Sequence, residues 1–181
     1  LAASGAFGSL GYTKREGMWH AGAMAESGPG RLALEDASTR PEFATMTGPE
    51  EMQADLWSTG ISLVHPVSFI RQQLDAEGVL RIEDVLRLRS NTPRVSVGGV
   101  VTHRQRPGTA NGVRFFNLED ETGIMNVVVM PQVWDANYEL ARKAIGLVIT
   151  GVLEYRDGVT NLVANRFAAW PAPEIPSRDF R

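Results

Sequence analysis

Five short segments rich in Val, Ile and Phe lie between Arg94 and Arg166, and they constrain the fold more than any other feature of this sequence. Their β-branched and aromatic residues, separated by turn residues, are typical of β-strands. The predicted strands cover residues 94–104, 113–119, 123–130, 147–155 and 159–166. A segment with helical periodicity, 132–143, separates the third strand from the fourth. This is the element order of an OB-fold, a partly open barrel that commonly binds oligonucleotides.

The turns between these segments are consistent with a barrel. Asp157-Gly158 is a two-residue hairpin signal of the type I′ kind. Pro107-Gly108 and Asn111-Gly112 predict a flexible loop between strands one and two. The paired glycines Gly98 and Gly99 suit the strong coil of a first barrel strand. We therefore predict an α+β fold, a five-stranded OB-fold β-barrel preceded by short helices.

The short helices are predicted from their caps. Thr13 and Glu16 have capping-box spacing and begin a helix that runs to Glu26. Thr47 and Glu50 repeat that spacing, and this second helix should end at Gly60. His65-Pro66 opens a third helix and Ile82 lies in a last helical turn before the barrel. The apolar face of the first helix is small, so we interpret that segment as a fragment of a larger helical domain.

Composition excludes several classes of protein. The chain has no cysteine, which excludes a disulfide framework and a cysteine-based zinc site. No apolar run approaches the roughly 20 residues that cross a bilayer, and no secretory leader is visible. We therefore expect a cytoplasmic protein with no membrane segment.

The net charge of −3 argues mildly against a nucleic-acid binder, but the charges are unevenly distributed. No acidic residue lies between Asp84 and Glu119, whereas that interval contains Arg87, Arg89, Arg94, Arg104, Arg106 and Arg114. A local basic stripe on an acidic chain is compatible with a nucleic-acid groove. An Arg-rich surface that is simply solvated is an equally good interpretation of charge alone.

No set of residues predicts an active site. The three histidines are scattered, and no nucleophile motif or phosphate-binding glycine loop is present. Glu119, Asp120 and Glu121 could suggest a two-metal site. Neighbouring residues at a strand end point to opposite faces, so these carboxylates should form a turn instead. We expect no catalytic residue, no metal and no cofactor in this chain.

Strands two and three provide the main candidate binding residues, because this face of an OB-fold receives the ligand. If Phe116 and Leu118 point to the core, then Phe115 and Asn117 point outward. Phe115 would then form a stacking platform beside the cation of Arg114, with Asn126 as the polar neighbour on strand three. A single bulge would reverse this alternation and bury Phe115.

The loops provide the remaining candidates. Arg104 and Arg106 lie on the predicted loop 103–109 and could neutralise phosphates, in which case affinity should fall steeply with salt. Four weaker candidates border the loop between strands four and five, namely Tyr155, Arg156, Asn161 and Asn165.

Three stretches, taken together, resemble one family. Residues 99–134, GVVTHRQRPGTANGVRFFNLEDETGIMNVVVMPQVW, resemble the OB domain near the C-terminus of bacterial C-family DNA polymerases. THRQRP at 102–107, DLWSTGISLVHPVSFIR at 55–71 and SRDFR at 177–181 are similar to the error-prone, damage-inducible branch. Residues 1–19 are similar to the end of the helix-hairpin-helix region that precedes the OB domain.

This resemblance implies a domain organisation. Residues 1–28 are the end of the helix-hairpin-helix region, 29–46 a linker, 47–92 a helical connector, 93–170 the OB domain and 171–181 a C-terminal tail. The polymerase active site lies outside the chain, so the fragment itself is expected not to be an enzyme. Its implied role is to hold single-stranded template DNA near that site during translesion synthesis and induced mutagenesis.

The resemblance also implies protein partners, namely an inactive Y-family-like mutasome protein and a RecA-like accessory protein. No clamp-binding peptide is visible, so we expect only indirect contact with the sliding clamp. A protein-docking module is the alternative function, with Trp57 and Trp134 as candidate anchors, although aromatic residues on such helices more often belong to a core. A tRNA-binding domain of a synthetase is disfavoured by the segment upstream of the barrel.

Overall fold

The structure is a computed structural model that describes residues 1–26, 41–88 and 94–170. The chain divides into two compact units, Leu1–Val64 and His65–Arg181. This division falls inside the predicted connector 47–92, and the predicted domain limits stay predictions. Residues 29–40 of the predicted linker and the predicted tail 171–181 lie outside the described residues. In the described ranges no helix combines the length and the apolar character needed to cross a membrane.

The first unit contains a short 3-10 turn, Gly8–Leu10, and two helices, α1 (Lys14–Glu26) and α2 (Gly48–Thr59). The predicted caps are confirmed, since Glu16 accepts the Thr13 N–H at 2.8 Å and Glu50 accepts the Thr47 N–H at 2.9 Å. Gly60 ends α2 with φ +73°, a conformation that glycine adopts without strain. Ion pairs Lys14–Asp55 and Arg15–Glu50, at 2.6 and 2.8 Å, join the two helices.

The second unit is a closed five-stranded barrel with short helices before and within it. A 3-10 turn, Pro66–Phe69, and the helices α3 (Arg71–Ala76) and α4 (Ile82–Leu88) precede the barrel. The remaining elements are β1 (Arg94–Gln105), β2 (Arg114–Asp120), β3 (Gly123–Val129), α5 (Pro131–Ala136), α6 (Tyr138–Lys143), β4 (Gly146–Arg156) and β5 (Val159–Ala169). The strand order is β1-β2-β3-β5-β4, closed by pairing of β4 with β1. The predicted OB-fold is confirmed.

Period-two alternation separates the inside of the barrel from its outside. Inward residues such as Phe116, Leu118, Met125 and Val127 have no exposed surface. Glycine permits two close approaches between strands: a Cβ on Gly99 would lie 2.5 Å from the Glu119 carbonyl, and one on Gly151 would lie 2.2 Å from the Val163 carbonyl. Outside the barrel, α3 packs over β1 and β4 through a smaller apolar cluster, Val67, Ile70, Leu74, Val79 and Val148.

Two predicted helices are interrupted. The helix predicted from His65-Pro66 is a 3-10 turn followed by α3, and Ile70 between them has a φ of −119°. The single helix predicted over 132–143 is two short helices that meet at Asn137, whose φ of −123° leaves the helical region. The Asn137 amide donates to the Val133 carbonyl at 2.8 Å and its oxygen accepts the Phe167 N–H at 3.4 Å. Asn side chains compete with backbone hydrogen bonds in this way, and here the competition ties the break to β5.

The turn between β2 and β3 is built on the buried carboxylate of Asp120. One oxygen accepts the N–H groups of Thr122 and Gly123 at 2.7 and 3.0 Å, together with the Thr122 hydroxyl at 2.6 Å. The other oxygen accepts the Ile82 N–H at 2.9 Å and an N–H of Arg71 at 3.2 Å. Asp120 therefore caps α4 from a distant turn, which supports the turn interpretation of the acidic cluster over a metal site.

Arg71, which is 6% exposed, binds the carboxylate of Glu121 through two of its nitrogens. Its Nε and one Nη donate to the two oxygens of Glu121 at 2.6 and 2.9 Å, and Arg81 adds a third bond at 3.0 Å. Burial would raise the pKa of Glu121, but the bonds from Arg71 and the charges of Arg71 and Arg81 lower it below its ordinary value. The fold therefore favours the ionised carboxylate of Glu121, which pairs with Arg71 and Arg81.

His65 begins the 3-10 turn as its cap. Its Nδ1 accepts the Val67 N–H at 3.2 Å, which requires an unprotonated Nδ1. Burial lowers the pKa of His65, while the charges of Glu119, Glu121 and Asp120 oppose that shift. Burial therefore favours the neutral ring that the cap needs.

Arg104, which was predicted both as the last residue of strand one and as part of the loop 103–109, belongs to the strand. β1 continues through Gln105, and a bulge between Val101 and His103 shifts its register against β2. The shift places Arg104 opposite Phe116, on the inner side at the end of the barrel. There its Nε donates to the Ala141 carbonyl at 2.9 Å, an Nη donates to the Ala144 carbonyl, and the guanidinium lies 5.4 Å from the Phe116 ring.

We expect Arg71→Met to lower the free energy of unfolding by about 3–5 kcal/mol, because it leaves the carboxylate of Asp120 buried without its cation. Urea denaturation at neutral pH measures the change. Arg87→Met is the matched control: Arg87 pairs with Glu83 and Asp84, but its side chain is 67% exposed. Exposed pairs contribute about 0–1 kcal/mol. Equal losses in the two variants would contradict a structural role specific to Arg71.

Arg104→Ala should lower the free energy of unfolding by about 1–3 kcal/mol, because charged hydrogen bonds to the end of α6 are lost. Arg106→Ala, two residues away, should change it by less than about 0.5 kcal/mol, since Arg106 bonds to no described residue. Thermal or urea unfolding distinguishes the two. Equal stability of both variants would show that the contacts of Arg104 do not stabilise the barrel.

Candidate nucleic-acid interface

The outward side of β2, β3 and β5, here called the outer face, contains three of the predicted binding residues. Phe115, Asn117 and Asn126 all point to it, because Phe116, Leu118 and Met125 fill the inside. Phe115 is 37% exposed, so the outward interpretation of this ring holds and the bulge that would have buried it is absent from β2. The bulge lies on β1 instead.

Three asparagines lie side by side across the outer face. Asn117 on β2 is the register partner of Asn126 on β3, and Asn126 is the partner of Asn161 on β5. Neighbouring strands lie about 4.8 Å apart, so the amides form a continuous strip, here called the amide row. Asn126 is exposed and the other two are half-buried. None of their side-chain amides hydrogen-bonds to a residue that the structure describes.

Apolar side chains border the amide row on both sides. On one side the register partners Phe115, Val128, Val163 and Val152 form a row across β2, β3, β5 and β4. On the other side lie Ile124 and Val159, which are 52% and 47% exposed. The outer face is therefore a band of uncharged hydrogen-bonding groups between two partly exposed apolar strips.

The prediction that Arg114 lies beside the exposed Phe115 ring is wrong. Consecutive strand residues point to opposite faces, and Arg114 points to the same side as Phe116. Its guanidinium covers the ring of Trp134 at 3.8 Å from the centroid. Cations are attracted to indole faces, and Trp134 is itself only 9% exposed. Trp134 is thus a core residue and not an exposed anchor for a protein partner.

Arg104 also lies away from the outer face, with two of its nitrogens bound to carbonyl groups of α6 and the residue after it. Burial lowers the pKa of its guanidinium, although an Arg side chain stays charged at any physiological pH. Of the two arginines predicted for phosphate contact, Arg106 has its donors available, because it is exposed and pairs with no described carboxylate.

The hairpin between β4 and β5 places its two predicted residues on different sides. Asp157 and Gly158 have φ of +52° and +82°, which confirms the predicted type I′ turn. Arg156 lies at the corner of the outer face, 3.6 Å from Asp157, with its side chain 89% exposed. Tyr155 is the register partner of the buried Thr160 and therefore points away from the amide row.

Asn161, which sequence reasoning assigned to the border of the loop between strands four and five, is the third residue of β5 and also belongs to the amide row. A signal was present: Asn117, Asn126 and Asn161 each stand between two core residues, in the triplets Phe-Asn-Leu, Met-Asn-Val and Thr-Asn-Leu. Within the ranges that the structure describes, no cluster of His, Asp and Glu side chains could hold a metal ion.

Comparison with known proteins identifies the barrel. Residues 95–168 match the family described as the OB-fold nucleic acid binding domain. Among solved structures, asparaginyl-tRNA synthetase from Pyrococcus horikoshii aligns with 54% of this chain and 25% of its own, at 21% identity and a TM-score of 0.43.

Curated relatives extend the similarity to the whole chain. Error-prone DNA polymerase of Corynebacterium efficiens is 42% identical, and those of Mycolicibacterium paratuberculosis and Mycobacterium bovis are each 44% identical. In each comparison the match covers 100% of this chain and 17% of the relative, so the chain spans about one sixth of their length. Over its whole length the chain matches the C-terminal OB region of bacterial error-prone DNA polymerases, and its barrel matches the OB-fold nucleic acid binding domain.

Proposed function

We propose that this chain is the single-stranded DNA-binding module of an error-prone translesion polymerase. The observation that supports it is the 37% exposed ring of Phe115 on the face of strands two and three of an OB barrel, beside three amides that hydrogen-bond to no residue the structure describes. Aromatic rings on such a face stack on successive bases regardless of sequence. A polymerase that copies damaged templates needs this tolerance.

The module acts on the template rather than on the chemistry. Nucleotidyl transfer takes place in the part of the longer protein that this chain does not include, and the barrel holds the unpaired template strand close to that site. This role belongs to DNA damage tolerance and induced mutagenesis in the bacterial cytoplasm. Base stacking and hydrogen bonding require an unpaired strand, so a duplex should bind more weakly.

Phe115→Ala should weaken binding of a labelled single-stranded oligonucleotide about 5- to 150-fold, the equivalent of one stacked base at about 1–3 kcal/mol. Fluorescence anisotropy with a duplex of the same sequence as competitor measures the change. Tyr138→Ala is the matched control, because Tyr138 is an aromatic residue of similar exposure (43%) on α6, away from the outer face. A wild-type chain that binds neither single strands nor duplex would contradict the proposed function.

A second function, protein docking, is supported by exposed apolar residues at the end of α2. Trp57 is 81% exposed, and Ile61 and Leu63 are 71% and 99% exposed. Large aromatic residues are common anchors at protein interfaces. The partners we propose are the inactive Y-family-like mutasome protein and the RecA-like accessory protein, with the sliding clamp contacted only through them.

Trp57→Ala should reduce capture of the Y-family-like protein by the immobilised chain at least about tenfold, as expected for an interface hot spot. Phe115→Ala serves as the control and should leave capture unchanged, because that ring belongs to the outer face. Capture that is lost equally in both variants would place docking on the barrel instead, and unchanged capture with Trp57→Ala would remove Trp57 as the anchor.

A further inference from the structure

The centre of the outer face lacks the positive charge that a phosphate-binding groove needs. Its amide row ends at His103 on β1 and at Glu154 on β4, which are the register partners of Asn117 and Asn161. Glu119 lies beside Ile124 in the next row. In the described part of the amide row and of the row that contains Ile124, the sole arginine is Arg156, at the hairpin corner. Arg94, the register partner of Val152, ends the row that contains Phe115, and Arg166 is exposed on β5 beyond that row. The centre of the face therefore carries no cation and has two carboxylates at its margins, which is unfavourable for a phosphate there.

Two other arginines of the barrel, Arg104 and Arg114, are held on the inner side. Arg104 is bound to carbonyl groups at the end of α6, and Arg114 covers the ring of Trp134. Neither can reach over the outer face without giving up these contacts. Arg106 lies one residue beyond the end of β1, at the rim. Cations are therefore available at the edges of the face rather than on it.

We infer that the outer face binds the bases of a single strand and leaves its phosphates at the rim, with the amide row, including Asn161, hydrogen-bonding to the base edges. This inference rests on the proposed function and specifies its chemistry. The apolar rows contact the flat faces of the bases. Arg106 and Arg156 contact the few phosphates that pass the two edges.

The dimensions of the face fit a base. Residues two apart on one strand, such as Phe115 and Asn117, are separated by about 6.6 Å. A base stacked on Phe115 can therefore present its edge to the amide of Asn117 or of Asn126 beside it. An amide has both a donor and an acceptor, and every base edge has at least one matching group. Rotation of the amide lets the same row accept different bases.

The charge distribution sets the salt dependence. For a single strand, log K falls with log salt by about 0.7 for each phosphate neutralised. Contacts by Arg106 and Arg156 alone predict a slope of about −1.4, whereas a groove that neutralises six phosphates would give about −4. The expected slope is therefore shallower than the steep salt dependence that the sequence analysis predicted for a phosphate-binding loop containing Arg104 and Arg106.

The experiment measures binding of the whole chain to labelled single strands by anisotropy over a salt series. Two probes of equal length and charge are compared, a mixed-sequence strand and one in which the central nucleotides are abasic. We expect a slope shallower than about −2 for the mixed strand and at least about tenfold weaker binding of the abasic strand. This comparison requires no variant, so a folding defect cannot obscure it.

Variants then test the amide row itself. Asn126→Leu and Asn161→Leu keep the side-chain size and remove the hydrogen bonds, so each should weaken binding of the mixed strand about 2- to 12-fold. Asn165→Leu is the matched control, because Asn165 is an exposed asparagine on the same strand as Asn161 but has no place in the row. It should bind like wild type.

The outcomes separate this inference from the proposed function. Equal affinity for mixed and abasic strands, or a slope near −4, would overturn base recognition while single-strand binding stands. Unchanged affinity in both asparagine variants would overturn the role of the amide row. Absence of binding to any single strand at low salt would overturn the proposed function and this inference together.

Discussion

The buried carboxylate of Asp120 is the interaction on which the rest of the second unit depends. Its two oxygens serve three separate segments: the β2–β3 turn, the first N–H of α4, and Arg71 at the start of α3. A buried charge is tolerated only when its lone pairs are satisfied, so these segments have to meet at one point. The helices that precede the barrel are thereby attached to the edge of the face formed by β2 and β3.

The side chains on the two sides of the barrel strands differ in the contacts that they make. On the inner side, Arg104 and Arg114 close the end of the barrel against α6 and Trp134. On the outer side, the side chains of Phe115 and Asn117 make no such contacts with described residues. Alternation along β2 enforces this separation, because a residue cannot serve both faces. Two arginines of the basic stripe, Arg104 and Arg114, therefore have structural contacts on the inner side.

Much of the fold was predictable because its signals are local. Strand composition, the Asp157-Gly158 hairpin and both capping boxes each depend on residues a few positions apart, and all of them are confirmed. The errors arose where distant groups intervene. Asn137 ends α5 through a bond to the backbone of Phe167 on β5, and the bulge in β1 adapts that strand to β2. Neither partner is visible in a sequence window.

The candidate site also depends on contacts between residues that are distant in the sequence. The sequence by itself determined that Asn117 and Asn126 point outward from their strands between buried residues, since period-two alternation is a local property. Only the tertiary structure decided that these two and Asn161 are neighbours, because the parallel pairing of β3 with β5 joins segments about 35 residues apart in the chain. It also decided that Arg104 and Arg114 point inward. Carbonyl groups of α6 and the ring of Trp134 attract them there, and both lie far from these arginines in sequence.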